Sequence, residues 1–157
     1  MTVDFTQPLY LDKAFPQVYE ALNKASEVSK QVSREVGLDG ALTELAIIRA
    51  SQLNRCSTCL SVHIPRGLKA GLPQQKIDLL PSWRESRGVY SDEEMAAIEL
   101  AETITLLPEG KKNGDAGRRA CEVFSREQVA ALEWSIIMIN AYNRISIMSE
   151  HPVRTKS

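Results

Sequence analysis

Cysteine is scarce in this 157-residue sequence: there are three, an odd number, with only seven prolines and eight glycines. Three cysteines are too few to hold together a small fold that lacks a core, so a secreted disulfide framework is not expected. Excess charge of either sign is missing as well. Nineteen Lys and Arg stand against twenty Asp and Glu, a formal net charge of -1, so there is no overall positive field to hold nucleic acid or an anionic membrane surface. Long apolar runs are absent too. Ile136 to Ile139 spans four residues and no wholly apolar stretch is longer, far below the ~20 residues a membrane helix needs. The amino terminus, Met1 to Pro8, has no basic region followed by an apolar one, and the expectation is a cytoplasmic protein.

What is present is an ordinary globular balance, 43% hydrophobic and 25% charged residues, in a length that suits one domain over residues 1–157. No run alternates β-branched residues with period 2, and helix-like segments are separated by glycine and proline clusters, so the expected fold is all-α. The first segment, Leu11 to Val36, spaces Ala14, Val18, Ala21, Leu22, Ala25, Val28 and Val32 by threes and fours. This predicts one long helix with that face in the core and a polar, solvated opposite face, stopped by Gly37. Thr43 is the expected N-cap of a helix from Glu44 to about Asn54. A third helix is expected from Arg55 or Cys56, and a short one from Pro73.

Ser91-Asp-Glu-Glu94 and Ser125-Arg-Glu-Gln128 have the form of capping boxes, each opening a helix. The first should end before Pro108. The second runs toward Ser149 and is apolar over more than one face, through Trp134, Ile137 and Met148 among others. A small chain buries such a helix on several sides with help from another copy, so a homo-oligomer assembled through helices is expected. Pro108 to Gly117 reads as a loop with a solvated basic pair, Lys111 and Lys112. Phe15, Tyr19, Trp83 and Trp134 are expected to pack in the core rather than shape a pocket.

The chemistry concentrates at Cys56-Ser-Thr-Cys59. In one helical turn these two side chains share a face, within the Cα separation of ~4.4 to 6.8 Å that a disulfide tolerates. His63, four residues after Cys59, is the next position on that face. A helix amino terminus with an imidazole beside it raises the thiolate fraction above the few per cent of a free thiol at neutral pH. A structural zinc site would need a fourth ligand from Cys121, His151 or a carboxylate, and no second CxxC or HxxxH completes it. Attachment of a c-type haem is excluded because residue 60 is leucine. Cys121 alone is expected to be a buried, inert small residue. Glu44 lies twelve residues before Cys56, about 18 Å along a continuous helix. Spacing alone makes it a capping charge in a first turn, unless a turn at Asn54-Arg55 folds it back.

The run from Glu44 through Cys56-Ser-Thr-Cys59 to His63 resembles the core of alkylhydroperoxidase D (AhpD)-like proteins, within the carboxymuconolactone decarboxylase family. The shared form is glutamate, eleven residues, CxxC, three residues, histidine. Ala70-Gly71, Trp83-Arg-Glu-Ser, Tyr90-Ser-Asp-Glu-Glu and Asn140-Ala-Tyr-Asn-Arg-Ile145 are similar to the family's peroxidase-related branch, over about residues 15–148. The resemblance implies an AhpD-like helical bundle in trimers or hexamers and a thiol peroxidase acting on a small hydroperoxide. It makes Cys59 the peroxidatic and Cys56 the resolving cysteine, and His63 with Glu44 a proton relay. No tightly bound cofactor is implied; the reductant is an external dithiol such as a lipoyl group or lipoylated protein. One position departs: the best-known AhpD proteins have a second histidine between the cysteines, and here Thr58 stands there, whose hydroxyl cannot relay a proton as imidazole does. The alternatives are a carboxymuconolactone decarboxylase-type lyase and a non-enzymatic redox-sensing oligomer.

Overall fold

Proline at position 16 decides how the chain begins. It cannot donate to a preceding carbonyl and its ring crowds the turn before it. In the computed structural model, which describes residues 6–155, the expected single amino-terminal helix is accordingly two: α1 (Leu11–Ala14) and α2 (Pro16–Glu35), broken at Phe15. The chain continues as α3 (Gly40–Leu53), α4 (Ser57–Lys69) and α5 (Gln74–Leu79). Two 3₁₀ segments (Leu80–Glu85 and Arg87–Val89) lead to α6 (Asp92–Leu106), α7 (Gly114–Ala120) and α8 (Arg126–Met148). No strand occurs among the described residues, and the fold is an all-α bundle. Both capping boxes form as their spacing predicts. Ser91 accepts from the Glu94 N–H while the Glu94 carboxylate accepts from the Ser91 N–H, and Ser125 and Gln128 do the same.

Helix α3 is the central element, packed against α4, α6 and α8. Its buried residues Leu45 and Ile48 join Leu80, Trp83 and Ile98 in one apolar cluster, while Ala46 and Ala50 face Leu100, Leu132 and Ile136 in another. Each large aliphatic side chain buried this way contributes about 2 kcal/mol. The start of α3 corrects the expected one. Asp39, not Thr43, is the N-cap, its carboxylate accepting from the Leu42 N–H at 2.8 Å. Glu44 is therefore in the second turn, beyond the free N–H groups a capping charge would serve. The loop expected to Gly117 is shorter, because α7 starts at Gly114.

The orientation of α2 overturns the expectation most plainly. Val18 and Val28, expected in the core, are 65% and 57% exposed, and Ala14, Ala21, Ala25 and Val32 are exposed too; Leu22 is half-buried. The face turned inward against α8 is the polar one. Ser33 Oγ is 3.3 Å from Ser135 Oγ, and the Tyr142 hydroxyl donates to Asn23 Oδ1 at 2.7 Å. Hydrogen bonds across α2 and α8 thus replace apolar packing there. Trp134, Ile137 and Met148 of α8 are likewise exposed, as is Phe15, whereas Trp83 is buried. Among the described residues no helix is long and apolar enough to cross a membrane.

Candidate active site

The site is made where α3 stops and α4 starts, with only Asn54, Arg55 and Cys56 between them. Helix α3 closes through a pair of backbone bonds, Cys56 N–H to Ser51 C=O and Arg55 N–H to Gln52 C=O, both 3.0 Å. This is the Schellman arrangement, whose left-handed position is usually glycine. Here Arg55 occupies it, with φ at +56°. The residue after it, Cys56, is at once the end of that motif and the N-cap of α4. The sharp reversal carries Glu44 back beside α4, which a continuous helix would not do.

A buried network of asparagines holds the reversal in place. The Asn54 amide donates to Asn140 Oδ1 at 2.9 Å and Asn143 Oδ1 at 2.8 Å. Asn143 donates in turn to Ser51 Oγ at 3.1 Å, and Asn140 to Thr105 Oγ1 at 3.0 Å. Asn143 is fully buried, so each of these polar atoms needs its partner. Sequence reading marked Asn140 and Asn143 only as part of a family-like stretch. Their role becomes visible once α8 lies beside the end of α3.

Cys56 and Cys59 are joined as a disulfide, with Cα atoms 5.3 Å apart. Cys56 is buried to 1% exposure and Cys59 to 7%. The Cys59 N–H points at Cys56 Sγ, 3.4 Å away, so the sulfur occupies the place of an N-cap acceptor. His63 and Glu44 meet: His63 Nδ1 is 2.7 Å from Glu44 Oε2, and both side chains are largely buried. With the carboxylate ionised, Nδ1–H donates to it, which leaves Nε2 as the free acceptor. Gly67 permits this approach. A Cβ there would lie 3.2 Å from Ile48 Cδ1 and 3.5 Å from Glu44 Cβ, so glycine lets α4 lie close on α3 beside the glutamate.

A cavity of about 640 Å³ opens onto Cys59. Cys59, His63 and Glu44 are in its wall and Cys56 is not. Ile47, Val62, Met138 and Ile139 supply apolar wall, and α2 contributes its polar face, including Tyr19, expected only to pack. Thr58, between the cysteines, donates to the His151 carbonyl at 2.8 Å. His151 itself stacks on Tyr10 and places Nε2 3.0 Å from Asp12 Oδ1. The position without the family's extra histidine thus fastens the carboxy-terminal segment over the site.

The other candidates lie elsewhere. Arg55 is exposed and outside the cavity wall. Cys121 is exposed, contrary to the burial expected of it, because it sits at the carboxyl end of the short α7. Among the described residues no group of three or more His, Cys, Asp and Glu is arranged to hold a metal ion. A further buried carboxylate was not foreseen. Glu102 Oε1 accepts from Arg49 Nε (2.9 Å) and Nη2 (2.7 Å) and from Trp83 Nε1 (2.9 Å), and Arg84 pairs with Oε2. Burial alone would raise its pKa; the donors from Arg84, Trp83 and Arg49 outweigh that and hold it below the ordinary glutamate value. It ties α3 to α6 and is not in the cavity wall.

The profile of the carboxymuconolactone decarboxylase family matches residues 16–103, a span that contains Glu44, both paired cysteines and His63. The chain belongs to this family. An uncharacterized Bacillus subtilis protein, YdfG, is 36% identical over 118 residues, 75% of this chain and 80% of that protein. The crystal structure of an Agrobacterium tumefaciens protein of unknown function, provisionally described as the antioxidant defence protein AhpD, superposes with a TM-score of 0.81. It is 27% identical, and the match covers 96% of this chain and 99% of that one.

Proposed function

We propose that this carboxymuconolactone decarboxylase family member is a thiol-dependent hydroperoxide reductase. The observation that carries the reading is the asymmetry of the cysteine pair: Cys59 shares a cavity wall with the His63–Glu44 dyad, while Cys56 lies sealed behind it. In the reduced protein His63 Nε2 takes the Cys59 thiol proton, and Glu44 steadies the imidazolium through Nδ1–H. The Cys59 thiolate attacks the distal oxygen of ROOH, the O–O bond breaks, and RO⁻ leaves with the proton from His63 as ROH. Cys59 is then a sulfenic acid. The Cys56 thiol displaces its hydroxyl as water and forms the disulfide seen here. An external dithiol, of the lipoyl type, restores the pair by exchange and departs as its own disulfide.

The exposed face of α2 belongs to the same proposal. Val18, Ala21, Ala25, Val28 and Val32 repeat at 3-4-3-4 spacing, the pattern of a helix–helix seam through which copies assemble into a trimer or hexamer, and Trp134 and Ile137 of α8 are exposed as well.

The test mixes the purified protein with tert-butyl hydroperoxide and dihydrolipoamide and follows peroxide loss. Turnover is expected in the parent and should vanish in Cys59→Ser. In Cys56→Ser a single oxidation without recycling is expected. Parent turnover no faster than that of Cys59→Ser would sink the proposal and leave a redox-sensing oligomer or a lyase as the reading to pursue.

A further inference from the structure

The cavity wall carries more positive charge than the redox chemistry uses. Its ionisable side chains include two carboxylates, Glu27 and Glu44, and three permanent cations, Lys30, Arg34 and Arg66. Glu44 is engaged by His63 at 2.7 Å, and Glu27 by Lys30 at 2.8 Å. Arg34 and Arg66 have no ion pair or side-chain hydrogen bond among the described residues. They come from different helices, α2 and α4, yet both reach Glu27 electrostatically. Its pKa is lowered first by the Lys30 hydrogen bond and charge, and further by each of the two guanidiniums. Two guanidiniums that make no side-chain hydrogen bond or ion pair among the described residues thus stand in the same cavity wall as Cys59.

Their distance from the sulfur is set by α4. Cys59, Val62, His63 and Arg66 stand at i, i+3, i+4 and i+7 of α4, on a single face, all in the wall. Seven residues of helix put Arg66 about 10 Å along the axis from Cys59. Ile47, Val62, Met138 and Ile139 give the same wall an apolar portion beside the polar face of α2. Ser29 of α2, also in the wall, keeps its hydroxyl buried without a partner among the described residues.

Resting on the peroxidase reading, we infer that the cavity selects organic hydroperoxides bearing a carboxylate at the far end of an apolar chain. The peroxide lies at Cys59, the chain along Val62 and Ile139, and the carboxylate between Arg34 and Arg66. Guanidinium forks match a carboxylate bidentately, and such charge-assisted bonds are roughly twice as strong as neutral ones.

The test compares ω-hydroperoxyoctanoate with its methyl ester at saturating dihydrolipoamide. The acid is expected to show a kcat/KM about tenfold or more above the ester. That ratio should shrink with added salt and fall to about one in Arg34→Gln/Arg66→Gln, with partial recovery in Arg34→Lys/Arg66→Lys. Equal kcat/KM for acid and ester in the parent protein would overturn the inference, as would a ratio the double variant leaves untouched. A preference for dihydrolipoate over dihydrolipoamide without one for the acid hydroperoxide would assign the cations to the reductant and overturn it as well. Should neither hydroperoxide turn over, the peroxidase reading itself fails. Calorimetric binding of octanoate against octanol then judges the anion subsite separately: tighter octanoate binding that Arg34→Gln/Arg66→Gln abolishes upholds it, and equal binding removes it.

Discussion

Replacing Asn143 with alanine tests whether the asparagine network positions the redox pair. The side chain is fully buried, accepts from Asn54 Nδ2 at 2.8 Å and donates to Ser51 Oγ at 3.1 Å. Each of these bonds contributes about 1 kcal/mol net, and the Ser51 oxygen left without a donor adds a desolvation cost of about 1–3 kcal/mol. Asn54 keeps a second acceptor in Asn140, which limits the total to roughly 2–4 kcal/mol. For a chain of this size that corresponds to a fall in Tm on the order of 4–16 °C. Urea denaturation gives the stability term. Iodoacetamide alkylation of the reduced protein gives the effect on the site, because a loosened Asn54–Arg55 reversal shifts Cys56 and Cys59 relative to the start of α4. The Asn54→Ala/Asn143→Ala cycle should show a coupling of about 1 kcal/mol. A loss of stability below about 0.5 kcal/mol, within the range of ordinary surface substitutions, would refute the assignment of the network as the clamp. So would an unchanged alkylation rate in a clearly destabilised variant, which would confine its role to the fold.

Three other substitutions probe separate parts of the argument. Glu102→Gln removes the charge that three donor side chains converge on, and should cost roughly 3 kcal/mol, the range found when one partner of a buried pair is removed. Because the folded protein depresses this pKa, the contribution of Glu102 is complete above the unfolded value of about 4.3 and is lost as pH falls through the lower folded value. Acid titration monitored by circular dichroism should therefore bring parent and variant stabilities together below that range, and parallel curves would count against the assignment. At Arg55, φ at +56° predicts the stability order Gly at least equal to Arg, and both above Val by about 1–2 kcal/mol; a Val variant as stable as the parent in urea would contradict a left-handed backbone there. Asp39→Ala should cost about 1 kcal/mol by removing the N-cap of α3, with Asp39→Asn nearly neutral, and equal losses in the two would point to charge rather than capping.

Much of the site was legible in sequence because it is local. The CxxC spacing and the two capping boxes depend on one or two helical turns and form as their spacing predicts, and the histidine four residues on lines the same cavity as Cys59. Glu44 was not legible in the same way. Its return to His63 depends on a left-handed residue at Arg55, where the sequence offers no glycine to announce it, and only resemblance to a family assigned it to the site. The clamp behind that turn was less legible still, since Asn54 finds its partners 86 and 89 residues away. Glu102 belongs to the same class: three side chains, Arg49 from one region of the chain and Trp83 and Arg84 from another, meet at its carboxylate, and no local pattern encodes that.

The inversion of α2 has a different cause. Apolar residues at three- and four-residue spacing establish that a helix has one face to hide, but the pattern is the same whether that face meets the chain's own core or a second copy. Here the opposite face carries Tyr19, Asn23, Ser26 and Ser33, which pair with α8 or line the cavity. Turning the valines inward would fill that space with methyl groups and expel the polar side chains and Arg34 from the wall. It would also strand Ser135 and Tyr142 without their partners on α2. The polar wall of the cavity and the exposed apolar seam are thus two consequences of one helix orientation. A change that restored the expected inward packing would remove the cavity facing Cys59 at the same time.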